Sequence, residues 1–94
     1  MIVVEATVQV RPDKIEEFES LFRDRAAKAR ASETGLVMYE IARSPETPGT
    51  YKVFEAFADM DAAHIHHKFL EPYLAGIYAC LAGDPILEQF ETVV

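Results

Sequence analysis

All three histidines of the chain, His64, His66 and His67, fall within the run "AAHIHHKF", and a glutamate, Glu55, sits inside the apolar run "YKVFEAF" eleven residues before His66. Imidazole takes and gives protons near neutral pH, so a histidine lining a cavity is a candidate general acid or base. Three imidazoles together also raise a metal site, which requires all three to converge. A carboxylate among aromatic and β-branched neighbours is costly unless it is paired. Advancing about 100° per residue along a helix puts Ala62, Ala63, Ile65, His66, Phe69, Leu70 and Tyr73 on one arc, and His64, His67, Lys68 and Glu71 opposite. His66 is therefore expected to point inward, and His64 and His67 to face water among charges. The three do not converge, and no metal site is expected. His66 is then either a core imidazole satisfied by a carbonyl or carboxylate, or a proton-handling group. Glu55 shares a strand face with Tyr51, Val53 and Phe57. It either faces the helices and meets His66 or sits on the opposite side of its sheet. A buried Glu–His pair is a candidate catalytic constellation, and equally a structural one.

The elements that must position these residues follow from periodicity. Residues 2–10 alternate, with Ile2, Val4, Ala6, Val8 and Val10 on one face. "RPDKIEEF" opens a helix, with Pro12 at its start and Asp13 and Glu16 at capping-box spacing. Ile15, Phe18, Phe22, Ala26 and Ala29 form its apolar stripe, and Gly35 is the expected left-handed stop. Residues 36–44 and 50–58 are strand-like around the turn "PETPG". Asp59 or Asp61 caps a helix over roughly 61–70. Pro72 is expected to interrupt it and begin a further helical stretch to about Ala82, ended by Gly83. "PILEQFETVV" is a last strand. The order is βαββαβ, an α+β ferredoxin-like fold: one four-stranded antiparallel sheet with helices on one face. Val3, Phe54, Ala56, Leu87 and Val93 are expected on the other face. Such an apolar open face usually finds a partner, so a homodimer is expected.

Bulk properties bound the rest. A chain of 94 residues is one small domain, 1–94. Sixteen acidic and nine basic residues leave a net charge of −7. That argues against nucleic acid and anionic membrane as partners. One cysteine, Cys80, in an apolar setting reads as a buried inert thiol. The first residues carry no basic leader and no apolar run approaches a membrane span, so a cytoplasmic protein is the expectation.

The run "EAFADMDAAHIH" resembles the antibiotic biosynthesis monooxygenase family, whose hallmark is a Glu, an aromatic two residues on and a His eleven residues on; Glu55, Phe57 and His66 match. "GLVMYEI", with Gly35 and Tyr39, resembles the family's second strand, and "RPDKIEEF" its helix start. The resemblance implies a dimeric ferredoxin-like α/β barrel with a pocket between sheet and helices in each subunit. It also implies oxygenation of a small quinol or aromatic polyketide-like substrate without flavin, haem or metal. His66 would then transfer a proton or orient substrate, Glu55 would orient His66 or hold a substrate hydroxyl, and Phe57, Tyr39, Phe69 and Tyr73 would wall the pocket. Departures exist: the family often has Ser three and His five residues after the histidine, where this chain has Phe69 and Glu71. The haem-degrading branch relies on Asn and Trp, and the chain contains neither. A branch that isomerises a phosphorylated autoinducer-2 derivative is the alternative enzyme. It needs a phosphate site, for which Arg43, Lys52 and Lys68 are the candidates outside the first helix. A non-catalytic dimer that binds a small molecule is the third reading.

Overall fold

A computed structural model describes residues 1–94. The elements are β1 (Ile2–Gln9), a 3₁₀ turn (Pro12–Lys14), α1 (Ile15–Ser32), β2 (Leu36–Arg43), β3 (Thr50–Phe57), α2 (Met60–Cys80) and β4 (Ile86–Glu91). The strands form one antiparallel sheet in the order β2-β3-β1-β4. This is the ferredoxin-like βαββαβ arrangement. No helix is long and apolar enough to cross a membrane.

The alternation in β1 survives as burial: Ile2, Val4, Ala6 and Val8 are covered, and the residues between them are less so. Cross-strand pairs share a face, so Val4 opposite Glu55 and Ala6 opposite Val53 put Glu55 on the helix side. The core joins Phe18, Phe22, Ala26 and Ala29 of α1 to Tyr39, Tyr51 and Val53 of the sheet and to Ile77 and Cys80 of α2. Cys80 is buried, and burial pushes its thiol up, as an inert core sulfur requires.

Several local expectations fail for identifiable reasons. Pro72 does not divide the second helix: α2 runs unbroken through it. Pro72 and Lys68 are both exposed, so the carbonyl freed four residues earlier lies on a wet face. Asp59 caps α2, its Oδ1 accepting from the Ala62 amide at 2.9 Å. No side chain caps α1 or the preceding turn, so Asp13 and Glu16 form no capping box. Gly35 is not a left-handed cap either. α1 ends at Ser32 with Glu33 in extended backbone, and the one positive φ belongs to Gly49 in the hairpin turn. Gly35 is small for another reason: a Cβ there would overlap the Cβ of Ala62, where the start of β2 crosses α2.

The open sheet face also differs in detail. Leu87 pairs with Ala6 and so has helix-side parity, and Val93 lies beyond the end of β4. Ile86, opposite Thr7, and Phe90, opposite Val3, are the β4 residues that share the open face with Val3 and Phe54. Ile86 is 63% and Phe90 52% exposed in the single chain.

Candidate functional site

Four charged or titratable side chains meet in the interior: Arg25, Glu33, Glu55 and His66, with His66 fully enclosed. Each comes from a different element. α1 supplies Arg25, the extended link after α1 supplies Glu33, β3 supplies Glu55 and α2 supplies His66. His66 is the hub. Its Nδ1 lies 2.8 Å from Glu33 Oε1, and its Nε2 lies 2.5 Å from Glu55 Oε2. Arg25 Nη2 lies 3.0 Å from Glu33 Oε2 and donates to the His66 backbone carbonyl at 3.2 Å.

The two contacts of the imidazole are not equivalent. The Glu33 contact is aligned as a hydrogen bond. The Glu55 contact is short but bent, so Nε2 is left without an aligned partner, as are Arg25 Nε and Glu33 Oε2. Distance makes the pair an ion-pair contact, and direction denies it a good hydrogen bond. Nδ1 also has Arg25 Nη2 at 3.2 Å. A guanidinium only donates, so Nδ1 cannot accept from Arg25 while donating to Glu33. The shorter Glu33 contact assigns the Nδ1 proton towards the carboxylate. The cluster packs an arginine and an imidazole against two carboxylates. Such a cluster adds little net stability, but removing one member leaves an uncompensated buried charge.

Aromatic rings close the space around the imidazole. Tyr39 stands edge-on at 4.9 Å between centroids, and Phe57 is tilted at 5.0 Å. Burial, then the charge of Glu55, pushes the Tyr39 phenol far above its usual range, so it stays neutral. Of the three members of the Glu33–His66–Glu55 row, Glu55 has the least enclosed side chain, 8% exposed against 3% and 0%.

The inward phase of His66 and the exposure of His64 and His67 match the helical reading. No group of three His, Cys, Asp or Glu side chains is arranged to hold a metal ion. Glu55, Tyr39 and Phe57 converge on His66, but Phe69 does not. Phe69 is 54% and Ile65 52% exposed, so the expected arc was rotated too far towards them. The buried stripe of α2 is Ala63, His66, Ile77 and Cys80, with Leu70 and Tyr73 partly covered between them. Tyr73 is peripheral: its hydroxyl donates to Asp24 at 3.3 Å, and Arg25 lies 5.7 Å from its ring. Neither of the two main cavities is lined by His66 or Glu55. One, of about 350 Å³, touches Glu33 beside Gly35, Asp59 and Ala62. The other, of about 420 Å³, lies between α1 and β2. The candidate phosphate ligands scatter: Lys52 pairs with Glu5, Lys68 is exposed on α2, and Arg43 bonds Glu19 at the end of β2.

Arg25 and Glu33 escape a reading by residue type, because charge on a helix is usually solvated. Their positions carried a signal. Phe18, Phe22, Arg25 and Ala29 advance by four, three and four, so Arg25 sits on the apolar stripe of α1, and Glu33 follows at the same spacing just past the helix end.

A family model for antibiotic biosynthesis monooxygenase matches residues 1–75, which contain all four members of the cluster. A Caulobacter crescentus protein, whose own designation as an antibiotic biosynthesis monooxygenase is provisional, is 39% identical. It superposes with a TM-score of 0.93 over 99% of this chain and 90% of that one. A Nitrosomonas europaea protein with the same provisional designation is 19% identical, at a TM-score of 0.91 over 100% of both chains. A conserved Methanosarcina mazei protein is 22% identical, at 0.88 over 95% of this chain and 89% of its own. The last two likenesses speak to the fold alone. Among proteins of curated function, none matches significantly. The family match, spanning most of the sequence and the whole buried cluster, shows that this chain belongs to the antibiotic biosynthesis monooxygenase family.

Proposed function

We propose that the protein is a cofactor-independent monooxygenase that oxidises a small quinol or electron-rich aromatic with O₂, using Glu55 and His66 to handle the substrate's proton. One observation carries this: His66 is held between two carboxylates in an enclosed interior walled by Tyr39 and Phe57. An electron-rich phenol needs little from a protein beyond binding, exclusion of water and a place for its proton. Glu55, whose side chain is the least enclosed of the row, takes the proton as the O–H bond breaks. His66 and Glu33 then hold the charge that moves. The electron pair stays on the phenolate, which passes one electron to O₂. The resulting radicals join through a new C–O bond. Loss of water from the hydroperoxide, with a proton returned by the same array, leaves one oxygen atom in a quinone product and sends the other out as water.

His66 is enclosed, so admitting substrate requires α2 or the link after α1 to move. The domain acts as one unit, 1–94, and pairs through its open sheet face into a dimeric α/β barrel. That apolar face is the support for the homodimer. Oxygen uptake with a panel of quinols and phenols tests the activity. Uptake that depends on enzyme and is lost in Glu55→Gln supports it. Turnover of a phosphosugar without O₂, or ligand-induced thermal stabilisation with no turnover of any phenol, points to the isomerase or the binding module instead.

A further inference from the structure

One cavity of the fold has no part in that chemistry. It lies between α1 and β2, with a volume of about 420 Å³, inside the range of small-molecule sites. Phe22, Ala26 and Ile41 give it an apolar lining, and Arg23, Arg30 and Arg43 surround it. The ring of Tyr39 separates it from the buried cluster, 6.5 Å from Phe22 on one side and 4.9 Å from His66 on the other.

The three arginines are more than half exposed, and each makes a polar contact at the rim. Glu19 fixes two of them: Oε1 accepts from Arg23 at 3.0 Å and Oε2 from Arg43 at 3.2 Å. Oε2 also accepts from the buried Tyr51 hydroxyl at 2.5 Å, which anchors the carboxylate to the sheet. Arg30 donates to the Tyr39 carbonyl and lies 3.5 Å from Glu40. These contacts engage one terminal nitrogen of each arginine. A guanidinium has five N–H donors, so most remain open. Three guanidinium groups against Glu19 and Glu40 leave the lining positive, on a chain whose net charge is −7. A third of all lysines and arginines stand around this one cavity.

We propose that this cavity binds a small organic anion, a carboxylate or phosphate ester on an aromatic or aliphatic body. Arg23 and Arg43 take the anionic head and Phe22, Ala26 and Ile41 take the body. A planar fork of N–H donors matches a carboxylate or phosphate two bonds at a time, and guanidinium planes also stack on aromatic rings. An apolar body distinguishes the site from one for a bare inorganic ion.

The test is a titration of the isotope-labelled full chain by NMR with benzoate, phenyl phosphate, inorganic phosphate and the neutral benzyl alcohol. Benzoate or phenyl phosphate should shift amides of residues 19–30 and 40–43 saturably. The preference between the two names the head group. Benzyl alcohol and inorganic phosphate should each bind at least about 10-fold more weakly, the scale of a lost charge-assisted contact or apolar body. Arg23→Gln/Arg43→Gln should weaken binding by a similar factor. Lys52→Gln, which removes one positive charge from the open sheet face, should not. No saturable shift with either organic anion, equal binding of benzyl alcohol or of inorganic phosphate, or undiminished binding in a folded double variant overturns the proposal. If the double variant does not fold, the comparison of ligands on the native chain decides alone. No turnover is measured, so failure here leaves the role of His66 and Glu55 standing, and failure there leaves this site standing.

Discussion

The Nε2 of His66 lies 2.5 Å from a carboxylate oxygen of Glu55, yet the contact is bent too far for a hydrogen bond. The opposite nitrogen of the same ring is well aligned on Glu33 at 2.8 Å. One side of the imidazole is therefore fixed and the other is close but unsatisfied, the side on which the proposed chemistry would exchange a proton. Replacing His66 with Ala should reduce turnover per folded molecule by roughly 10²-fold or more, the usual scale for a general acid or base. His64→Ala and His67→Ala should change it little, because both face water. Turnover measured beside the folded fraction separates chemistry from stability. A His66→Ala protein that is less stable but fully active would make the histidine structural.

Arg25 is the counter-charge that makes two buried glutamates tolerable. Arg25→Met should lower stability by about 3–5 kcal/mol, because the buried Glu33 loses its guanidinium and keeps only the imidazole. Adding Glu33→Gln should then cost less than Glu33→Gln costs alone, since the orphaned charge is already the problem. Urea midpoints of the four proteins give the coupling. Additive losses would mean that the 3.0 Å contact carries no interaction energy.

Much of this was legible in the chain. Alternation in β1 and β3 and the stripe of α1 gave strands and a helix in their observed order, and the inward phase of His66 follows from a helical wheel alone. Other features were not. Pro72 reads as a break, because nothing local says that the carbonyl it frees will face water. Ile65 and Phe69 read as core, because hydrophobicity alone sets the helical phase. In the folded chain α2 is turned so that His66 reaches Glu33 and Glu55, and those two apolar side chains are left outside. Helical spacing puts Arg25 on the apolar stripe of α1, but its pairing with Glu33 and His66 is tertiary, and no local pattern states it.

Gly35 is the tightest backbone contact between β2 and α2. Gly35→Ala would force a methyl into Ala62 and should cost about 1–3 kcal/mol through overpacking. Ala62→Gly in that background should recover part of the loss, although glycine costs a helix about 1 kcal/mol by itself. Thermal unfolding of the single and double variants checks this. A Gly35→Ala protein as stable as the parent would show that β2 can shift freely.

Tyr51 and Glu19 link stability to pH in opposite directions. Burial, then the bond to Glu19, raises the Tyr51 phenol from 10.0 to about 12. The folded chain holds that proton more tightly than the unfolded one, so the contribution is full below about pH 10 and is lost as pH rises through about 12. The Glu19 carboxyl is lowered, chiefly by the same bond and then by Arg43. Its contribution is present above the usual carboxylate range and is lost as pH falls through the depressed value. Tyr51→Phe should therefore flatten the alkaline decline and make the acid decline shallower. Urea midpoints across pH for both proteins test it, and parallel curves would contradict it.

The last prediction concerns the sheet. Val3, Phe54, Ile86 and Phe90 share the open face, and β4 is an edge strand whose apolar side chains lie bare in a single chain. Exposed apolar residues on a flat face with a free edge invite pairing with a second copy. A stable dimer buries on the order of 1,200–2,000 Å² in total, which a four-stranded face can supply. Ile86→Asp and Phe90→Asp place charges where the partner sheet would lie. Both positions are exposed in the isolated chain, so each substitution should alter the folding of one subunit by no more than about 0.5 kcal/mol. Sedimentation should then show a dimer for the native protein at micromolar concentration and a folded monomer for the double variant, with the circular dichroism of the two superimposable. A native monomer, or a dimer that survives both charges, would place the partner, if there is one, on another surface.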